Sequence, residues 1–98
     1  MQTENLRVCS TAHFTLEDNK LLSTMAGQAA FRSWVVNIQY GYILVLTDYR
    51  RRLRVLTSQG ASKALRRFLI HQIKYHRIGY IHFDCDASIL PGHEFFEW

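Results

Sequence analysis

The spacing of apolar and polar residues changes along the chain, and each spacing predicts a helix or a strand. Residues 7–13 are rich in small and β-branched side chains, which is typical of a strand. Thr15 precedes Glu17 and Asp18, an order that favours a helix start because the hydroxyl caps free N–H groups and the acids suit the positive helix end. Apolar residues then recur at helical spacing, and Gly27 is the expected stop. The first part of the chain is therefore predicted to be a strand followed by a helix.

The central part of the chain is denser in large apolar side chains. Residues 31–39 and 42–47 are rich in Trp, Val, Ile and Leu, as buried strands are. Residues 52–57 begin by alternating arginine with leucine or valine, which predicts a strand with one face in solvent. The link at 48–51 is short enough for a hairpin. Three strands are therefore expected here.

A second helix and a last strand are predicted in the remainder. Ser62 is placed to cap a helix that continues to Arg77, with Gly79 as its stop. Residues 80–84 predict a further strand, and residues 90–92 a turn into an aromatic end. The predicted order is β-α-β-β-β-α-β. It indicates an α+β fold with a mostly antiparallel sheet of four to five strands and two helices packed on one face.

Composition limits the class of protein. A length of 98 residues, with 48% apolar and 13% aromatic content, suits a single domain over residues 1–98 and argues against disorder. The chain has no uncharged apolar stretch long enough to cross a membrane, and its start lacks the basic and apolar regions of a secretory signal. Cys9 and Cys85 are too few for a disulfide framework. We therefore expect reduced thiols and a cytoplasmic location.

Charge is distributed unevenly along the chain. Residues 49–77 contain nine lysines or arginines and no acid, whereas residues 78–98 contain four acids and no lysine or arginine. Such an asymmetry creates a field that attracts nucleic acid or an acidic protein surface. The alternative is that the two parts neutralise each other in the fold.

Several potential ligands for a metal ion lie close together near the end of the chain. They are His82, Asp84, Cys85, Asp86 and His93. Their spacing gives no convincing zinc pair. A magnesium site on the two aspartates would need a third carboxylate, for which Glu94 is the nearby candidate, and a lysine. The structural alternative is that the aspartates cap the turn after a strand. No spacing requires a Cys–His nucleophile, so we expect no catalytic residue, no metal and no cofactor.

The basic segment is the strongest functional signal. Tyr49 and Tyr75 lie among its cations, where their rings could stack on bases. No signature of a known nucleic-acid-binding module occurs, and a plain solvated helix face is the alternative. The predicted partner-binding residues are Arg50, Arg51, Arg52 and Arg54 on the hairpin and Lys63, Arg67 and Lys74 on the second helix, with Asp84 and Asp86 as candidates in an acidic turn.

Several short motifs resemble those of a known family. They are STAH at 10–13 followed by Thr15, YGY at 40–42, FDCDA at 83–87, LPG at 90–92 and FEW at 96–98. The sequence resembles a small unknown-function domain family of bacterial plasmids, prophages and genomic islands, often encoded near antirestriction and toxin–antitoxin genes. The resemblance spans almost the whole chain, departs from the family at the arginine run 50–52, and implies a mobile-element origin. It brings no established active site.

Two functions fit these features. The first is a non-catalytic protein-binding module from a mobile genetic element or phage, an inhibitor of a host defence complex of the anti-CRISPR or antirestriction type. Small size and charge separation favour this function. The second is a small nucleic-acid-binding accessory protein that uses the basic hairpin and the second helix. The expected partner is therefore a host defence protein or complex subunit, or nucleic acid, and no membrane; the protein itself is expected to be a monomer or a small homo-oligomer.

Overall fold

The computed structural model describes residues 5–98. Its strands are β1 (Asn5–Ser10), β2 (Val35–Ile38), β3 (Gly41–Val45) and β4 (Ile78–Asp84), and its helices are α1 (Leu16–Ala26), α2 (Tyr49–Gln59) and α3 (Lys63–His76). A single 3₁₀ turn, Thr11–His13, joins β1 to α1. The order in this part of the chain is β-α-β-β-α-α-β. No helix within residues 5–98 has both the length and the apolar character needed to cross a membrane.

The four strands form one sheet in the order β1-β4-β3-β2. The pairs β2–β3 and β3–β4 are antiparallel, whereas β1 and β4 are parallel. The last strand therefore lies between the first and the third. The α+β class and the mostly antiparallel sheet predicted from the sequence are confirmed.

One face of the sheet forms the core. Phe83 of β4 pairs with Cys9 on one side and with Tyr42 on the other, and all three side chains are buried. Because side chains alternate between faces along a strand, Leu6 and Val8 lie on the opposite face, where they are 59% and 50% exposed. The core is closed by buried residues from all three helices: Leu22, Met25, Leu56, Leu65, Phe68 and Leu69.

The β3–β4 contact requires glycine at the start of β3. A Cβ atom built on Gly41 would lie 1.8 Å from the carbonyl oxygen of Phe83, which no other residue could accommodate without moving a strand. The YGY motif at 40–42 thus has a structural reason.

Residues 52–57, predicted as a strand, lie in helix α2. The hairpin predicted at 48–51 is also wrong, because Asp48 is the N-cap of that helix and Gly60 ends it with a left-handed φ of 102°. Tyr49, Leu53 and Leu56 pack on the core at the helical spacing i, i+4, i+7. The short Arg-Leu-Arg-Val run fits both the two-residue period of a strand and the 3.6-residue period of a helix, so it does not distinguish them. Because this segment is helical, residues 5–98 contain three α-helices rather than the two predicted.

Other predicted boundaries change for local reasons. The first strand stops at Ser10, whose hydroxyl accepts a hydrogen bond from the N–H of Ala12 and starts the 3₁₀ turn. Residues 31–34 form a turn, so that β2 begins at Val35. Helix α3 ends at His76, and its C-cap, Arg77, takes the left-handed conformation (φ 51°). The predicted stop Gly79 lies inside β4.

Candidate basic interface

The basic face is defined here as the exposed cations of α2 and α3: Arg50, Arg51, Arg54, Lys63, Arg67 and Lys74. All six were predicted from the sequence as partner-binding residues. Both helices are amphipathic, because their apolar residues are buried in the core and their cations remain in solvent. Folding residues 52–57 as a helix instead of a strand therefore keeps the arginines at the surface.

Arg52, the seventh predicted basic residue, contributes to the fold instead. Its side chain is half-buried, and its Nη1 donates a hydrogen bond of 2.6 Å to the carbonyl oxygen of Val45. The guanidinium also lies 5.4 Å from the ring centre of Trp34, a cation–π geometry. Arg52 thus connects α2 to the sheet.

The cations of the basic face form no direct ion pair with an Asp or Glu side chain within residues 5–98. Within residues 5–98, no lysine or arginine lies within 4.0 Å of a carboxylate oxygen of Asp or Glu; the ion pair present there joins His82 and Asp84, at 3.6 Å. Arg66, which was not predicted as a site residue, donates a long hydrogen bond to Thr57 between the two helices. The neutralisation considered from the sequence therefore does not occur through direct ion pairs in this part of the chain.

The acidic turn follows β4 directly. The Oδ1 atom of Asp84 accepts a hydrogen bond of 2.8 Å from the N–H of Asp86, which is the turn-capping role considered from the sequence. Ligand atoms of Asp84, Cys85 and Asp86 lie within 4.8 Å of one another, close enough to surround a metal ion. Partial desolvation, and then the carboxylates of Asp86 and Asp84, raise the pKa of the Cys85 thiol. Such a thiol is less ionised than an unperturbed one and is therefore not activated as a nucleophile.

Burial has a similar effect on the second cysteine. Cys9 is fully buried beside Phe83, and this burial raises the pKa of its thiol to about 12. Neither cysteine therefore has the lowered pKa of an activated nucleophile.

The last residues of the chain are attached to the 3₁₀ turn through His13. Its ring is buried and stacks on Phe68, with centroids 4.6 Å apart. Its Nε2 accepts a hydrogen bond of 2.9 Å from the N–H of Leu90, so the ring proton is on Nδ1, which donates to the carbonyl oxygen of Glu94 at 2.8 Å. One side chain thus fixes two points of the C-terminal segment, defined here as residues 85–98.

The C-terminal segment and α3 enclose a cavity of about 220 Å³. His71 and His93 line it, with ring centroids 4.6 Å apart in an edge-on arrangement. Arg67 and Glu94 also contribute to its wall. The sequence predicts Arg67 as a binding residue but not this cavity, because no local pattern indicates that a residue near position 90 packs on α3.

The comparison with family models agrees with the resemblance found in the motifs. Residues 6–98 match the model described as "Family of unknown function (DUF5983) C-terminal domain". The chain belongs to this family. No curated protein and no solved structure matches the chain. Membership in a family of unknown function is thus confirmed for this DUF5983 protein, and its function has to be argued from its surface.

Proposed function

We propose that this DUF5983 protein is a non-catalytic protein-binding module whose basic face docks on an acidic partner surface. The observation that carries the proposal is that six exposed cations on two consecutive helices have no carboxylate partner within residues 5–98. Uncompensated charges of one sign steer association with a surface of opposite sign and select against like-charged partners.

The composition of the basic face favours recognition of carboxylates. Four of its six cations are arginines, namely Arg50, Arg51, Arg54 and Arg67. The guanidinium group presents a planar fork of donors that matches a carboxylate in a two-bond geometry, which lysine cannot do. Because the arginines stand on helices whose apolar residues pack in the core, their backbone positions are fixed before binding. The backbone entropy lost on association is therefore smaller than for arginines on a flexible loop.

The partner class that we propose is a subunit of a host defence complex, and the protein would act as an inhibitor of the anti-CRISPR or antirestriction type. Resemblance to a family of plasmids, prophages and genomic islands supports this choice. An inhibitor that only occupies a surface needs charge and shape complementarity and no catalytic group, and a chain of 98 residues can present both.

Direct binding of nucleic acid is the second candidate. Tyr75 is 74% exposed and follows Lys74 in α3, an arrangement in which a ring could stack on a base beside a phosphate contact. The same arginines would then neutralise phosphates, and binding would weaken steeply with salt.

The test compares one variant of the basic face with a matched control. Arg50→Gln, Arg51→Gln and Arg54→Gln together remove three cations from α2, and Lys20→Gln with Arg32→Gln removes two exposed cations elsewhere. Each protein is expressed in hosts that carry a CRISPR or restriction system, and the survival of incoming DNA is counted. Protection by the wild type and the control, with loss in the triple variant, is the expected result. No protection by the wild type in any host would contradict the inhibitor function.

Labelled DNA and RNA are then titrated at about 100 mM salt, where the screening length is about 10 Å. Negligible binding by the wild type is expected. Micromolar binding that the triple variant loses and the control keeps would favour the second candidate over the first.

A further inference from the structure

The cavity between α3 and the C-terminal segment is small and already formed. Its volume of about 220 Å³ is below the range of about 300–1,000 Å³ that is typical of sites for drug-sized ligands. A cavity of this size suits one compact chemical group. Two hydrogen bonds with His13, one donated to Glu94 and one accepted from Leu90, hold the segment that forms its outer wall, so the cavity does not depend on a loose chain end.

Positive charge converges on this cavity. Arg67, His71 and His93 line it, and all three side chains carry N–H groups. The side chains that act on the pKa of His93 through their charge are also basic: His71, His13, Arg7 and His76. After burial, which is the largest cause, these neighbours lower the pKa of His93. Basic side chains grouped around one small cavity are a setting in which a bound anion is stabilised.

A buried polar group in contact with His93 provides a second observation. Gln72 is 0% exposed, and its Oε1 atom has no hydrogen-bond partner. Its Nε2 lies 3.4 Å from Nε2 of His93, the direction in which the amide donates and the imidazole accepts. His93 then carries its proton on Nδ1 and can donate it elsewhere. Burying an amide with one unpaired atom costs free energy, so its retention beside His93 is consistent with a positioning role.

We propose that this cavity is a binding site for a single oxyanion, a phosphate or a carboxylate group, held by the guanidinium of Arg67 and the ring N–H groups of His71 and His93. Arginine binds such groups through two parallel hydrogen bonds, and charge-assisted bonds of this kind are the strong ones in proteins. Glu94 lines the same cavity and opposes an entering anion. The site goes beyond the proposed docking function, because it takes a small ligand and shares only Arg67 with the basic face.

The site predicts a coupling between binding and protonation. An oxyanion stabilises the charged form of His93, so binding should raise the pKa of this residue towards its ordinary value of 6.5. The charged or titratable groups that surround it are Arg7 of β1, His13 of the 3₁₀ turn, Arg67, His71 and His76 of α3, and Glu94 of the C-terminal segment. Sulfate is a suitable probe because it keeps its charge over the whole range in which histidine titrates.

The experiment follows the Cε1–H resonances of His71 and His93 by NMR while phosphate, sulfate or acetate is added at constant ionic strength. Saturable shifts of both resonances are expected with at least one anion. Saturation with phosphate and sulfate alone would indicate a phosphorylated ligand, and saturation with acetate alone a carboxylate ligand. No saturable shift with any of the three would overturn the proposal.

Three variants make this test specific. Arg67→Gln should weaken binding about tenfold or more, the size expected for lost charge-assisted hydrogen bonds. Glu94→Gln should tighten binding because it removes the opposing charge. Arg54→Gln, which removes an exposed cation from α2, should leave anion binding unchanged. Equal losses in Arg54→Gln and Arg67→Gln would show a diffuse field rather than a site. Arg54 belongs to the docking proposal and not to this one, so failure of one proposal is distinguishable from failure of the other.

Discussion

The carboxylate of Asp18 accepts hydrogen bonds from both the backbone N–H and the hydroxyl of Ser62, at 2.9 and 2.6 Å. Asp18 is also the third residue of α1, where it completes a capping box with Thr15. Ser62 in turn caps α3 by accepting from the N–H of Leu65. One buried acid thus joins the N-termini of two helices that are far apart in the sequence, and the capping box of α1 holds the start of the helix that carries half of the basic face.

Replacing Asp18 by alanine should therefore destabilise the protein strongly. The change removes the side-chain half of the capping box, which accepts from the N–H of Thr15, and leaves the N–H and hydroxyl of Ser62 without their partner, a combined loss on the order of 3 kcal/mol in the free energy of unfolding. Urea unfolding followed by circular dichroism measures it. The control is Glu17→Ala, an exposed acid in the same turn, which should change stability by less than about 0.5 kcal/mol. Similar losses in both variants would contradict the bridging role of Asp18.

The C-terminal aromatic residues offer a second comparison. Trp98 and Phe95 are almost equally exposed, at 51% and 52%, but only Trp98 makes defined contacts. Its Nε1 donates to the carbonyl oxygen of Phe14 at 3.0 Å, and its ring stacks on that of Phe14 with centroids 6.0 Å apart. We predict that Trp98→Ala lowers the free energy of unfolding by about 1–2 kcal/mol.

Phe95→Ala should cost less than about 0.5 kcal/mol, because an exposed ring without such contacts buries little on folding. The melting temperatures of the two variants are compared with that of the wild type. A larger loss for Phe95 than for Trp98 would place the end of the chain differently from the structure described above.

Local signals in the sequence predict the helix caps, but they do not predict contacts between residues far apart in the chain. Thr15 and Ser62 were found because a cap depends on residues within one turn. The strand prediction for residues 52–57 is wrong because the short Arg-Leu-Arg-Val run at 52–55 fits the spacing of both a strand and a helix. The contact of His13 with Glu94 spans 81 positions. Nothing in the sequence around either residue indicates it, so the cavity could not be predicted.

Acidification should destabilise the packing of the C-terminal segment. Burial and neighbouring basic groups lower the pKa of His93 in the folded state, so the unfolded chain binds a proton at a higher pH than the folded chain does. Stability is therefore fully present above about pH 6.5 and falls as the pH drops below that value. Denaturant unfolding at a series of pH values between about 5 and 8 measures the slope.

Two substitutions test the assignment of this slope to His93. His93→Gln should make the slope shallower, because the titrating group is gone. His71→Gln should reduce it in part, since His71 is the first of the basic neighbours that lower the pKa of His93 after burial. An unchanged slope in His93→Gln would assign the pH dependence to other groups.

The last prediction separates the structural arginine of α2 from its functional ones. Arg52 donates to the carbonyl oxygen of Val45 and packs its guanidinium over Trp34, whereas Arg51, its neighbour, is exposed. Arg52→Gln should lower the free energy of unfolding by about 1–3 kcal/mol, because it removes a charge-assisted hydrogen bond and a cation–π contact. Arg51→Gln should leave stability within about 0.5 kcal/mol and weaken only the binding of an acidic partner. The free energy of unfolding of both variants is measured by chemical denaturation. Equal stability of the two would contradict the assignment of Arg52 to the fold and Arg51 to the interface. The comparison matters for every functional assay of this surface, because a variant that included Arg52 would lose activity through the fold and would be misread as loss of the interface.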